Sequence, residues 1–272
     1  MNKGVILITG CSSGIGLNLC NFFLEKKFDV IGISRTPFKK FKCKIRYGRF
    51  RYINTDLSNL SEFKKLIIKL NKIPNIKYII NNAGKIISDN HDNKSSVNNL
   101  FFLNAIIPIC LSRFFINSYK FRTVSKIFNI GSNAHSNFSL HKNDLDFRNT
   151  TNNYSTYCKS KLILLFLTKK IYDLYSKKVG IYYLHPGFVR TKIFFKLPYI
   201  QKIFYKLALN LFGISSNKSS NYLGNIIINK KFQLGGYFKY KDEKKIIWPK
   251  LSKKKTNILW KNFLKYETNI KQ

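Results

Sequence analysis

Six short runs of β-branched and apolar residues recur along this chain with helix-like segments between them, and that alternation constrains the fold more than any other feature. The runs lie near residues 4–9, 28–33, 50–53, 77–81, 124–130 and 179–184. They are too continuous to leave one face in water, as strands covered on both faces must be. Between two of them, Phe63, Leu66, Ile67 and Leu70 follow the i, i+3, i+4, i+7 spacing of an apolar helix stripe. Strands and helices that alternate in this way build a parallel sheet with helices on both sides, so an α/β, doubly wound sheet is expected. A chain of 272 residues with 44% hydrophobic content and no evident linker suits one large domain.

The first run ends in Thr9-Gly10-Cys11-Ser12-Ser13-Gly14-Ile15-Gly16, a glycine-rich strand-to-helix turn. Gly10 allows the tight turn, Gly14 lets backbone approach a pyrophosphate, and Gly16 lets the next helix pack closely. The N-terminal N–H groups of that helix, around Ser12, Ser13 and Ile15, then face the phosphates. A dinucleotide is therefore the expected cofactor. Its type is read at the end of the second run, where Ser34 and Arg35 stand in place of an acidic residue. A carboxylate there would hold a ribose hydroxyl, whereas a hydroxyl and a guanidinium suit a 2′-phosphate. NADP(H) is the expected form.

A tyrosine four residues before a lysine, Tyr157 and Lys161, supplies acid–base chemistry. A free phenol has a pKa near 10 and is a poor catalyst at neutral pH. One helical turn away, the Lys161 cation lies on the same face and lowers the tyrosine pKa. Ser132, closing Ile127 to Ser132, falls at a strand's C-terminal end, where it can hydrogen-bond a substrate oxygen. Pro108 lacks the N–H that would have bonded the carbonyl of Asn104, leaving that carbonyl open to water, or else it only kinks the helix.

Taken together with Asn81-Asn82-Ala83-Gly84, these motifs resemble the short-chain dehydrogenase/reductase family over nearly the whole chain. The resemblance implies one Rossmann-type domain over 1–272, with a cofactor half at about 1–150 and a catalytic and lid half at about 151–272. It implies catalytic roles for Asn104, Ser132, Tyr157 and Lys161, with the Asn104 main-chain carbonyl holding a water in a proton relay. For the cofactor it adds Asp56 and Leu57 near the adenine, Asn82, Ala83 and Gly84, whose backbone lies against the cofactor, and Tyr157 and Lys161 again at the nicotinamide end. Pro186, Gly187, Val189 and Thr191 would lie beside the nicotinamide. Asp56 could equally be a helix N-cap.

The segments around Ser132-Asn133-Ala134-His135, Asp144 to Phe147, Tyr154 to Leu162, His185 to Thr191 and Gly235 to Phe238 look like the retinol dehydrogenase-like branch, which includes WW-domain oxidoreductases and is close to protochlorophyllide reductases. That branch implies reduction of a small lipophilic carbonyl. A ketoreductase acting on a fatty-acyl or polyketide-type intermediate, and a dinucleotide-sensing protein without chemistry, are the alternatives. The chain departs from the branch in carrying Gly131 where a first serine is usual.

The formal net charge of +37 would ordinarily suggest a polyanionic partner. The lysines are spread along the chain, however, and accompany an excess of Asn, Ile, Phe and Tyr, with alanine only at 83, 105, 134 and 208. That pattern follows AT-rich codons, so nucleic acid is not the expected partner. The five cysteines form no CxxC pair, which fits a reducing compartment and no metal site. Cys158 adjoins Tyr157 and is either oxidation-sensitive or an inert packing residue.

The first run begins almost at Met1 and leaves no room for a presequence, and the apolar stretch Leu100 to Phe115 is interrupted by Asn104, Pro108 and Arg113. A soluble, cytoplasmic protein is expected. The segment from Phe188 to Phe212 mixes aromatic and aliphatic residues with lysines, suiting an apolar substrate lid or, alternatively, peripheral contact with an anionic membrane. Helices beginning at Leu100 and Tyr157 are apolar on more than one face, which points to a homo-oligomer, dimer or tetramer, or to burial within one subunit.

Overall fold

The computed structural model describes residues 3–86, 99–118, 124–133, 136, 138–148, 154–190, 209–229, 235–241, 248 and 252–271. All six expected runs are strands: β1 (Val5–Thr9), β2 (Asp29–Ser34), β3 (Phe50–Asn54), β4 (Ile76–Asn81), β5 (Lys126–Ile130) and β6 (Gly180–His185). Two short strands, β7 (Val189–Arg190) and β8 (Ile214–Ser215), pair with each other. A further strand, β9 (Gly235–Lys239), joins the edge of the main sheet beside β6. The order is β3-β2-β1-β4-β5-β6-β9, parallel throughout. The direction of winding reverses between β1 and β4, which opens a crevice at the carboxyl ends of those strands.

Helices cover both faces. On one side α1 (Gly14–Glu25) and α7 (Ser216–Ile228) pack over β1, β2, β4, β5 and β6. On the other lie α2 (Leu60–Leu70), α3 (Asn99–Phe101), α4 (Ile107–Asn117), α6 (Tyr154–Tyr175) and the C-terminal α8 (Lys253–Lys271). The short α5 (Lys142–Leu145) precedes α6. In α2 the predicted stripe points inward, with Phe63, Leu66 and Leu70 buried. Asn59 caps this helix by accepting from the Glu62 N–H. Asp56 is therefore not the cap; its carboxylate accepts instead from the Ser58 N–H at 2.8 Å and the Ser58 hydroxyl at 2.6 Å.

The helical stretch Asn99–Asn117 is long and apolar enough to cross a membrane by length and composition, yet 72% of its apolar window is buried inside the fold. Its hydropathy is that of a core helix. Phe102–Ile106, between α3 and α4, is a π turn in which the Ile107 N–H reaches back five residues to the Phe102 carbonyl. Pro108 follows at the second position of α4, within the same continuous helical stretch, and contributes no N–H to it.

The apolar faces of this stretch and of α6 are covered within the same chain by α8. Leu259 and Phe263 of α8 are fully buried, and Tyr266 meets Phe102 edge-on. Glu267 takes both a 2.9 Å and a 3.1 Å hydrogen bond from the Arg113 guanidinium, whose carbon lies 5.0 Å from the Trp260 ring centre. Midway along α8, Asn262 donates to the Leu145 carbonyl and the Asp146 carboxylate, strapping the segment that leads into α6.

Candidate active site

The crevice at the carboxyl ends of the strands holds a cleft of about 820 Å³. Its floor is the glycine turn. Gly10 and Gly14 adopt φ of +69° and +55°, a left-handed conformation that glycine alone enters at no steric cost. A Cβ on Gly16 would lie 2.1 Å from the Gly10 carbonyl oxygen and 2.5 Å from the Asn82 amide, so helix and strand close only on a bare glycine. Ser13 precedes α1 in extended conformation and offers no side-chain cap. The first turn therefore keeps its N–H groups for a ligand, and Ser12, Ser13, Gly14 and Ile15 line the cleft. These features fit a dinucleotide's pyrophosphate.

The second wall is braced to the first. Thr9 Oγ1 accepts from the N–H groups of both Asn82 and Ala83 at 3.0 Å, and Asn82 Nδ2 donates to the carbonyls of Thr9 and Gly10. Below it, Asn81 Nδ2 lies 2.8 Å from Asn129 Oδ1 and 3.1 Å from both the Pro108 carbonyl and Ser112 Oγ, and Asn129 in turn donates to Thr168. This buried polar network ties β4 and β5 to α4 and α6, and so fixes the strand ends on which the site is built.

At the far end of the cleft, Arg35 is half-exposed, with Nη1 4.0 Å from Asp56 Oδ2. Ser34 lines the cleft beside Arg35. Its hydroxyl is buried and lies 3.1 Å from the Tyr52 hydroxyl while accepting from the Thr36 N–H. Thr36 lines the cleft next to it, its Oγ1 accepting from the Ser12 hydroxyl at 3.2 Å. Thr36 carries no motif and went unpredicted; its one sequence signal is adjacency to Arg35. Leu57 is buried on the same wall, beside Thr55.

The structure brings Ser132, Tyr157 and Lys161 into the opposite end of the cleft. Tyr157 is almost wholly buried, its ring stacked on Tyr154 with centroids 6.0 Å apart. Lys161 is buried too, and its Nζ donates to the Ile130 carbonyl at 3.1 Å. Burial lowers its pKa to about 8, which leaves the cation largely intact at neutral pH. Asn104 stands just behind the cleft, not in its lining. Its side chain clasps the Lys85 peptide, Oδ1 accepting from N–H at 3.0 Å and Nδ2 donating to the carbonyl at 2.8 Å, and also reaches Ser160.

Gly187, at φ +89°, turns the chain after β6, and the Pro186 carbonyl accepts from Ser219 at 2.7 Å. His185, Pro186, Gly187, Phe188 and Val189 line this side. Arg190 is a clamp, donating to the carbonyls of Leu209 and Asn210. Thr191 and most of the expected lid, 191–208, lie outside the described residues. Ile86, Leu103 and Tyr154 add apolar walls that no motif announced. Cys158 is fully buried with its thiol pKa raised to about 11 by that burial, which makes it a packing residue and a poor nucleophile.

A family model for short chain dehydrogenases matches residues 4–198. The chain belongs to the short-chain dehydrogenase family. It is similar to the family's retinol dehydrogenase-like branch. Human retinol dehydrogenase 13 is 24% identical over 200 residues, a match covering 69% of this chain and 60% of that protein, less than two thirds of the relative's length. Among solved structures, NADPH-bound carbonyl reductase from chicken fatty liver superposes with a TM-score of 0.63 at 19% identity, covering 91% of this chain and 100% of that one. A 4-hydroxyisoleucine dehydrogenase complexed with NADH gives 0.64 at 22%, covering 87% and 96%. The shared fold is that of both.

Proposed function

We propose that this protein is an oxidoreductase that uses NADP(H) to interconvert a small lipophilic carbonyl and its alcohol. The observation that carries the reading is one cleft with an uncapped, glycine-lined phosphate cradle at one end and Ser132, Tyr157 and buried Lys161 at the other. When bound, the nicotinamide dinucleotide supplies or accepts the hydride at the substrate carbon. Tyr157 gives its phenolic proton to the carbonyl oxygen in reduction and removes it from the alcohol in oxidation. Lys161, a cation below about pH 8, would hold the nicotinamide ribose and favour the phenolate that Tyr157 becomes. Ser132 hydrogen-bonds the substrate oxygen and orients it toward Tyr157. Asn104, through its main-chain carbonyl, holds a water whose proton is passed by way of Lys161 back to Tyr157 after each reduction.

Arg35 and Thr36 at the adenosine end, with no carboxylate on β2's end to repel it, support a 2′-phosphate and hence NADP(H). Ile86, Leu103, Tyr154 and Phe188 support an apolar substrate. Leu211 and Phe212 stand well exposed beside β8, which favours a second role for this region in peripheral contact with membranes; flotation with anionic liposomes at physiological salt tests it, and absence of binding sinks it. A homo-oligomer built on the α4 and α6 faces would have to displace α8, and light scattering of the full chain reads that directly.

The test is NADPH oxidation by the purified protein with retinal, long-chain aldehydes and β-ketoacyl thioesters. Turnover with retinal or aldehyde that disappears in Tyr157→Phe supports the reading; preference for the thioester selects the biosynthetic ketoreductase instead. Tight NADPH binding without turnover on any of them would favour a sensor.

A further inference from the structure

Tyr183, in the middle of β6, is fully buried, and its ring fills the space that a side chain on Gly131 would need. A Cβ at Gly131 would come within 2.0 Å of Tyr183 Cζ. On the adjoining strand the ring stacks on Tyr237 of β9, centroids 5.4 Å apart and planes 18° from parallel. Held between the glycine and the stack, the hydroxyl is fixed in place. It accepts from the Ser132 N–H at 3.2 Å, and lies 3.2 Å from the Lys161 carbonyl and 3.4 Å from the Ser132 carbonyl, to either of which it can donate. Burial pushes this phenol well above its ordinary pKa, so it keeps its proton and serves as donor and acceptor at once.

These contacts join the two segments that carry the chemistry. Ser132 sits on the loop leaving β5, and Lys161 sits in α6 one turn beyond Tyr157. A substrate oxygen that must touch Ser132 and Tyr157 together requires their separation to be held closely, because a displacement of about 1 Å can cost on the order of a hundredfold in rate. We infer that Tyr183 is a positioning residue: its hydroxyl sets the Ser132 peptide against the turn of α6 that bears Tyr157 and Lys161, and Gly131 gives its ring room. The inference rests on the reading of the site given above.

Tyr183→Phe tests it, since it keeps the ring and its stack and removes only the hydroxyl. The expected result is a kcat for carbonyl reduction lower by about tenfold, with carbonyl KM, the Kd for NADPH and the melting temperature close to wild type. A second readout needs no substrate: hydrogen exchange at the Ser132 amide becomes at least about tenfold faster in the variant. If wild type turns over no carbonyl, the functional reading fails while the exchange measurement still decides this one. Wild-type kcat with wild-type Ser132 exchange overturns the inference. Joint loss of NADPH binding, melting temperature and turnover also overturns it, because the hydroxyl would then serve the fold as a whole.

Discussion

The two ends of the cleft are built on opposite principles. The phosphate end is made from backbone contiguous in sequence, Gly10 to Gly16, and works because side chains are missing from it. The chemical end is assembled from four distant pieces, around Lys85, Ser132, Tyr157 to Lys161 and Tyr183, joined by side-chain hydrogen bonds. One end therefore fails when atoms are added, and the other when single polar groups are removed.

The sharpest break of that comparison comes at the chemical end. Tyr157→Phe removes one oxygen and should lower kcat by about a thousandfold, as loss of a general acid does, with NADPH affinity unchanged in a fluorescence titration. At the phosphate end, Gly16→Val adds atoms against the Gly10 carbonyl and should weaken NADPH by about a hundredfold, even though no polar contact is lost. Equal NADPH affinity in this variant would show that the cradle is not the cofactor site. Arg35→Ala should weaken NADPH by about tenfold and leave NADH nearly unaffected, in keeping with one charge-assisted contact at an exposed position.

The smallest effect concerns Lys161. Its folded pKa, about 8, lies below the unfolded value, so burying the cation costs stability that is fully lost at neutral pH and recovered as pH rises from about 8 toward 10.5. Lys161→Met should therefore melt a few degrees higher than wild type at pH 7, with the gain shrinking above pH 8, while its turnover falls. A melting temperature difference independent of pH would contradict the assignment.

The fold was legible because strands covered on both faces leave largely apolar runs, as β1, β2, β4, β5 and β6 do, while the edge strand β3 keeps only Ile53 buried. The strand β9 escaped because Gly235-Gly236 reads as a turn, although both glycines pair with β6. The phosphate end was legible for the same reason that it works: glycine spacing in a local stretch is visible in sequence. At the chemical end Ser132, Tyr157 and Lys161 are recognisable types, but the groups that hold them are not. Tyr183 reads as one more apolar strand residue, and its partner Gly131 as a departure from a family pattern. Asn104 was expected for its carbonyl, whereas its side chain also braces Lys85, a contact across 19 residues that spacing does not reveal. Asn59, not Asp56, caps α2, because both sit within a turn of the helix start and only the chain path chooses between them.

Isotope transfer tests the central claim most directly. With NADPH deuterated at the transferring position and the best carbonyl of the panel, mass spectrometry should find one deuterium on the carbinol carbon of the wild-type product, formed at a rate that collapses in Tyr157→Phe. Product alcohol without deuterium, or deuterium transfer at an undiminished rate in Tyr157→Phe, would contradict the account.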